Sequence, residues 1–276
     1  MQLFHRWNLS TLINQSGITV FCIAVAFLTA ACDKVVDLDL ATSTDQLVIE
    51  GNLTDEKGLK YVKLSESTAF ANTNTYAAVS GAIVTLTEDS SKTYTLAEGT
   101  AGTYVLENYA GISGHTYTLQ VKVKGTSYTA TSSLPQKIWI ESLAAKSRSI
   151  NGADNQKEIT VSYHDPSVTV NQYNFLMYVN GVQVKSVFAF SDQLTDGNYT
   201  TATLTQDDIE ILTGDTVIVE MQCVDKAMYT YWHTLMQQDE SNGTGVSSAD
   251  PPNDISPTTL GYFSAHTVER KAIIVP

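Results

Sequence analysis

The chain has 276 residues, of which 43% are apolar and 16% are charged, and its 29 acidic residues outnumber its 16 basic ones to give a net charge of −13. The apolar fraction is ordinary for a globular protein, and the length suffices for two modest domains. The acidic balance repels nucleic-acid phosphates and therefore argues against a nucleic-acid partner.

An apolar segment, Ile18–Cys32, lies near the N-terminus and ends in small residues followed by a cysteine. Because it is shorter than the roughly 20 residues that span a bilayer, it is typical of a cleaved signal. We predict that residues 1–31 are a lipoprotein signal peptide and that Cys32 carries the lipid that anchors the chain. An ordinary secretory signal and an uncleaved single span are the alternatives.

The cysteines agree with this interpretation. Cys22 lies within the signal and Cys32 would be acylated, so Cys223 is left alone in the mature chain and no internal disulfide is predicted. Cys223 lies in an apolar run, where a lone cysteine is usually a small buried hydrophobic residue rather than a reactive thiol.

Strand-like patterns begin after a polar and acidic tether, residues 32–44. Between residues 45 and 134, short alternating segments such as Gln46–Leu53 and Ala82–Glu88 are separated by turn residues. This spacing predicts an immunoglobulin-like β-sandwich, and the whole chain is predicted to be mainly β.

A second antiparallel β-sandwich is predicted over residues 135–276. Asn180-Gly181 lies between two strand-like runs and predicts a type I′ hairpin, because both central residues of that turn need positive φ. Leu260–Ala265 and Val268–Val275 are predicted to be the final strands.

The spacing of apolar residues changes near Asp225–Asn242, from the alternation of a strand to the repeat of a helix. Asp225 is a suitable N-cap, and Gly243 follows the run. We predict one amphipathic helix whose apolar face, more often core than ligand site, carries Met228, Tyr231, Trp232, Leu235 and Met236.

Two predicted loops, residues 247–257 and residues 188–199, are the candidate binding regions, because loops at the ends of sandwiches carry recognition. The candidate residues lie in the loop at 188–199. The alternative is that its aromatic side chains fold inward and pack. The candidate residues are Phe188, Phe190, Asp192, Asp196 and Tyr199.

Motifs for nucleophilic catalysis, zinc and phosphate binding are missing from the sequence, so no catalytic residue, metal ligand or cofactor is predicted. Carboxylates at Asp192, Asp196 and Asp207-Asp208 could ligate calcium, although their spacing is not that of a calcium loop and turn capping explains them as well.

Several segments together resemble the domain-of-unknown-function 4249 family of Bacteroidetes lipoproteins. The front half also looks like the carboxypeptidase-regulatory type of small β-sandwich. The resemblance implies a lipid-anchored protein of the outer membrane, on its periplasmic or its surface face, and it transfers no catalytic residue. It also implies a gene that often accompanies a TonB-dependent receptor. The segments are Leu47–Asp55, Gly81–Leu86, Gly102–Leu106, Gly114–Val121, Gly214–Leu235 and Pro251–Ala265.

We therefore expect a non-enzymatic accessory or binding protein, partnered with a TonB-dependent receptor in nutrient uptake. A carbohydrate-binding module is the alternative and would need an exposed tryptophan, whereas the apolar surroundings of Trp139 and Trp232 predict burial. A glycan or peptide hydrolase is a third hypothesis, which would require convergent carboxylates or histidines in a cleft.

Overall fold

A computed structural model describes residues 46–67, 76–150, 153–167, 170–192, 197–240 and 251–276. The predicted signal peptide, Cys32 and the tether lie outside the described residues, as does Asp196. All described residues belong to one compact unit. The fold is mainly β, as predicted, with sandwich-like sheets and, in the described ranges, a single helix.

The described part of the chain is built from strands, with one helix between the last two of them. In the first half the strands are β1 (Leu47–Thr54), β2 (Gly58–Glu66), β3 (Ala77–Ala78), β4 (Ile83–Glu88), β5 (Lys92–Glu98), β6 (Thr103–Tyr109), β7 (Thr116–Val123) and β8 (Thr126–Ser133). In the second half the elements are β9 (Ile140–Ile150), β10 (Ala153–His164), β11 (Gln172–Val179), β12 (Val182–Gln183), β13 (Phe188–Ser191), β14 (Tyr199–Leu204), β15 (Thr216–Val224), α1 (Lys226–Glu240) and β16 (Leu260–Ile274).

The first sandwich arises because alternate residues of its strands are apolar. β1 buries Ile49 and Leu53, while β7 buries Tyr117, Leu119 and Val121. Since successive side chains of a strand point to opposite faces, one face of each strand enters the core. Hydrogen-bonded neighbours run in the order β1, β2, β6, β5, β4, β7 and β8, with β3 added on β2.

The second sandwich packs a three-stranded sheet, in the order β14, β10, β9, beside strands β11 and β15 of the larger sheet. Tyr173 and Phe175 from β11 belong to the same buried cluster as Val161 and Tyr163 from β10. The rings of Tyr163 and Tyr173 meet edge to face, with their centroids 4.9 Å apart.

Strand β16 belongs to both sandwiches, and this differs from the prediction of two separate final strands. Its first half pairs with β1 in parallel and its second half pairs with β15 in antiparallel. Phe263 and Ala265 enter the first core, whereas Ile273 packs on the second. A single sheet of thirteen strands therefore runs through the described part of both halves. The domain boundary at residue 135 stays a prediction.

The predicted hairpin is confirmed. Asn180 and Gly181 have φ angles of 50° and 82°, and they connect β11 to β12 with Val179 opposite Val182. The side-chain amide nitrogen of Asn180 also donates a hydrogen bond of 2.8 Å to Oδ1 of Asp215.

The predicted helix is also confirmed, as α1. Asp225 is its N-cap, because Oδ1 accepts a hydrogen bond of 2.9 Å from the backbone N–H of Met228. Met228 is fully buried, and the other four residues of the predicted apolar face are half-buried. The predicted end at Gly243 lies outside the described residues.

Candidate functional site

The predicted binding loop does not have the predicted form. Phe188 and Phe190 lie on strand β13, which pairs with β11, and Phe188 is only 4% exposed. The ring of Phe190 packs edge to face on Phe175, at 5.8 Å between centroids. The two aromatic side chains therefore fold inward, which was the alternative interpretation.

The remaining members of that set are not brought together in the described residues. Asp192 is buried, and its Oδ2 accepts a 2.7 Å hydrogen bond from the backbone N–H of Asn171. Tyr199 is exposed, but it lies on β14 opposite His164, in the separate three-stranded sheet. Asp196 lies outside the described residues.

The acids considered as calcium ligands have individual protein partners. Asp207 pairs with Arg148, and Oδ2 of Asp208 accepts a 2.8 Å hydrogen bond from the backbone N–H of Lys185. Among the residues that the structure describes, no group of three or more His, Cys, Asp or Glu side chains could hold a metal ion.

The prediction that Trp139 is buried is wrong, since the side chain is 63% exposed. Ile138 and Ile140, its chain neighbours, both enter the second core, so the alternation of the chain turns Trp139 outward. Nζ of Lys137 lies 5.1 Å from the centroid of a Trp139 ring. The apolar residues around Trp139 led to the wrong prediction because they are its chain neighbours, which face the core while Trp139 faces solvent.

A polar cavity of about 420 Å³ lies on the thirteen-stranded sheet, on the face opposite the hydrophobic cores. We call it the sheet-face cavity. Strands β1, β11, β15 and β16 each contribute polar side chains to it. Its principal polar residues are Asn52, Asn174, Glu220, Gln222, His266 and Arg270.

Strand alternation explains the cavity's chemistry. In β15, Val217, Val219 and Met221 enter the second core, so Glu220 and Gln222 project from the other face. The sequence signal was present, because two polar residues two positions apart interrupt an otherwise apolar strand. Their partners on β11 and β16 could not be found without the strand order.

A chain of hydrogen bonds crosses the floor of the cavity. The amide nitrogen of Asn174 donates to Oε1 of Gln222 at 2.9 Å, and the amide nitrogen of Gln222 donates to Oε1 of Glu220 at 2.7 Å. Glu220 Oε2 accepts from Nε of Arg270 at 2.8 Å, and the same guanidinium contacts Oε1 of Glu56 at 2.6 Å. These contacts fix the orientation of four side chains at the floor of the cavity.

One polar atom of this hydrogen-bond network, Oδ1 of Asn174, has no partner. Asn174 is only 2% exposed, yet its Oδ1 makes no hydrogen bond to any described residue. Leaving a buried acceptor unsatisfied costs about 1–3 kcal/mol. Since Asn174 lines the sheet-face cavity, a donor that enters the cavity would remove this cost.

His266 lies beside the chain of hydrogen bonds and is held neutral. Its Nδ1 is 2.9 Å from Oγ of Ser264. Burial lowers the pKa of His266 to about 4, outweighing the favourable effect of the Asp55 carboxylate. A base this weak is poorly suited to activate a hydroxyl, and Ser264 is itself only 2% exposed.

An aromatic cluster forms one wall of the cavity. Trp232 from α1 meets Tyr262 of β16 edge to face, with centroids 5.2 Å apart, and Tyr231 packs on both rings. The amide nitrogen of Asn52 donates to the hydroxyl of Tyr262 at 3.1 Å, which holds that ring in place. On the far side of the cluster, Tyr231 lines a second cavity of about 450 Å³.

The family comparison covers all but the last four described residues. A family described as "Domain of unknown function (DUF4249)" matches residues 33–272, which include every residue of the sheet-face cavity. The chain belongs to the DUF4249 family. No curated protein matches the sequence.

Among solved structures, this DUF4249 chain is similar to a two-domain fibronectin type III segment from chicken tenascin. The likeness has 14% sequence identity and a TM-score of 0.21, and it covers 66% of this chain and 92% of that one. In the described ranges, no helix is both long enough and apolar enough to cross a membrane.

Proposed function

We propose that this DUF4249 protein is a non-enzymatic binding protein of the outer membrane, anchored by acyl chains on Cys32, and that the sheet-face cavity is its ligand site. The buried acceptor Oδ1 of Asn174 carries the proposal, because it has no partner among the described residues and belongs to a side chain that lines a cavity of about 420 Å³. Ligand sites usually occupy about 300–1,000 Å³ and carry a few fixed polar groups.

The chemistry of the cavity favours binding over catalysis. Its carboxylate, Glu220, is already engaged by Gln222 and by the Arg270 guanidinium. The histidine that lines it has a pKa of about 4 because of burial. A preformed network of this kind orients a ligand without offering a nucleophile and base in mutual reach.

A test of the binding function uses the full chain purified gently from the native envelope. Native mass spectrometry is expected to find a small molecule bound to the wild type. Asn174→Leu removes the unpaired acceptor and is expected to lose that molecule. Tyr199→Ala, an exposed residue on the other sheet, is the matched control and should retain it. A bare wild-type chain would contradict the proposal.

The anchor and the partner are proposed from the sequence and from the family resemblance. Cys32→Ser is expected to release the protein from the membrane fraction, and mass spectrometry should find acyl chains on Cys32 of the wild type. A C-terminally tagged chain is expected to recover a TonB-dependent receptor in stoichiometric amount from solubilised envelope. A cysteine without lipid, or a pull-down without a receptor, would contradict the respective part.

Carbohydrate binding on an open surface is a second candidate, and the exposure of Trp139 favours it. This side chain presents 63% of its surface to solvent. An aromatic ring with a neighbouring cation, here Lys137, offers both an apolar face and a hydrogen-bond donor to a ligand. Loss of glycan binding in Trp139→Ala, with Trp232→Ala unaffected, would support this candidate.

A further inference from the structure

We propose that the sheet-face cavity takes a neutral, hydroxyl-rich ligand, a carbohydrate, with one hydroxyl donating to Oδ1 of Asn174 and the sugar ring lying against Trp232. The inference rests on the proposed binding function and adds the chemical class of the ligand. Three features of the cavity carry it: an arginine and carboxylates that are already paired, an acceptor without a partner, and an aromatic wall beside polar groups.

Arg270 and the neighbouring carboxylates at the cavity are paired with one another within the protein. Arg270 contacts both Glu220 and Glu56, at 2.8 and 2.6 Å. Nζ of Lys60 is held by two neutral oxygens, Oγ1 of Thr54 at 2.8 Å and the carbonyl oxygen of Glu56 at 2.5 Å. Burial lowers the pKa of Lys60, and the carboxylates of Glu56 and Asp55 oppose that fall. A charged ligand that competed for Arg270 would leave the buried Glu220 carboxylate uncompensated, which is costly, whereas a neutral ligand leaves this pair intact.

The unsatisfied acceptor in the cavity favours a ligand that carries a hydrogen-bond donor. Oδ1 of Asn174 is an acceptor without a partner, so the group that meets it must carry an O–H or N–H. A wholly apolar ligand would leave the acceptor buried and unsatisfied. A hydroxyl can donate to Asn174 and accept from a neighbouring group at once, as the mixed amide and guanidinium lining requires.

The aromatic wall of the cavity provides an apolar surface on which a sugar ring could stack. Trp232 is half-buried, lines the cavity, and is braced by Tyr231 and Tyr262 at 5.1 and 5.2 Å. A pyranose has an apolar C–H face and hydroxyls at its rim, so it can bury that face on an indole while its rim meets polar groups. Tyr61 and Leu59, both exposed, also line the cavity and leave it open to solvent.

The test screens the full mature chain against an array of neutral oligosaccharides of glucose, galactose, mannose and xylose, with uronic acids and amino sugars as charged comparisons. Calorimetric titration of the array hits then gives affinities. Asn174→Leu and Trp232→Ala are each expected to weaken binding of a neutral glycan by about tenfold or more, since one hydrogen bond or one ring contact is lost. Tyr199→Ala, an exposed residue on the separate three-stranded sheet, is the matched control and should bind as the wild type does. Trp139→Ala distinguishes this cavity from the open-surface candidate.

Three results would overturn the carbohydrate assignment alone, and a fourth would overturn the binding function as well. Preference for charged sugars contradicts the charge argument, and weakening by Trp139→Ala alone moves the site to the open surface. Absence of any glycan binding while native mass spectrometry still finds a small molecule displaced by Asn174→Leu refutes the sugar but leaves the binding function standing. Absence of both overturns the two proposals together.

A readout without substitutions covers the case in which Asn174→Leu does not fold. Hydrogen exchange of the wild type is compared with and without the bound glycan. Slower exchange in β11, β15 and α1, which surround the cavity, supports the proposal. Protection confined to the segment around Trp139 contradicts it.

Discussion

Oγ of Ser132 donates a hydrogen bond of 2.6 Å to Oδ2 of Asp225, so a strand of the first sandwich is tied to the residue that begins the helix. The same Oδ2 accepts from the backbone N–H of Ser133 at 3.0 Å, while Oδ1 caps the helix at Met228. Ser132 in turn accepts from the backbone N–H of Ala265 at 2.9 Å. One carboxylate therefore joins β8 and α1, and through Ser132 it reaches β16.

Asp225→Ala is expected to lower the free energy of unfolding by about 2–3 kcal/mol, because it removes a helix cap and two further hydrogen bonds. Urea unfolding followed by circular dichroism measures the change. Lys226→Ala, at the exposed next residue, is the matched control and should stay within about 0.5 kcal/mol of the wild type. Equal effects of the two substitutions would show that the hydrogen bonds of Asp225 to β8 and α1 do not stabilise the fold.

Gly261 is expected to be irreplaceable where β16 passes β1. Its φ is +101°, and a Cβ there would lie 2.0 Å from the carbonyl oxygen of Ile49. Gly261→Ala should therefore destabilise the protein by more than about 3 kcal/mol or prevent folding, since backbone cannot move aside cheaply. Gly58→Ala is the control, because nothing lies within 4 Å of its added Cβ. Similar thermal unfolding of both variants would contradict the tight parallel pairing.

The sequence predicted those features that depend on neighbouring residues. The Asn180-Gly181 turn and helix α1 with its Asp225 cap were correct because positive φ and helical periodicity are local properties. Strand alternation likewise predicted two β-sandwiches. Trp139 was misplaced because the apolar residues around it were taken as its environment, although alternation directs it to the opposite side.

Features made by distant pairing were not predictable. Strand β16 continues from one sandwich into the other because its two halves pair with β1 and β15, which are far apart in the sequence. Phe188–Ser191 forms a strand because it pairs with β11. The sheet-face cavity depends on the same order of strands, so its polar residues looked like isolated interruptions of apolar runs.

His266 is expected to make the stability of the fold depend on pH. Its pKa falls to about 4 on burial from an ordinary value of 6.5, with Asp55 opposing the fall and Lys60 and Arg270 adding to it. Between these values the unfolded chain binds the proton and the folded chain does not, so stability is full above pH 6.5 and is lost as the pH falls toward 4. The loss attributable to His266 is about 3 kcal/mol at pH 4.

His266→Gln keeps a polar group opposite Ser264 but cannot titrate, so its unfolding free energy should decline less between pH 7 and pH 4 than that of the wild type. His164→Gln removes an exposed histidine and serves as the control, with the wild-type slope expected. Urea midpoints across the pH range measure the slopes. A His266→Gln slope equal to the wild-type slope would show that other groups carry the acid sensitivity.

Cys223 is expected to be inert in the folded protein. The thiol is 2% exposed, and burial raises its pKa, so little reactive thiolate is available. Ellman's reagent should leave it unmodified in buffer and should label about one thiol per mature, lipidated chain in denaturant. Cys223→Ala leaves space in the second core and is expected to cost about 1 kcal/mol or more of stability. Rapid labelling of the native protein would show that β11 and β15 open far more readily than their shared core implies.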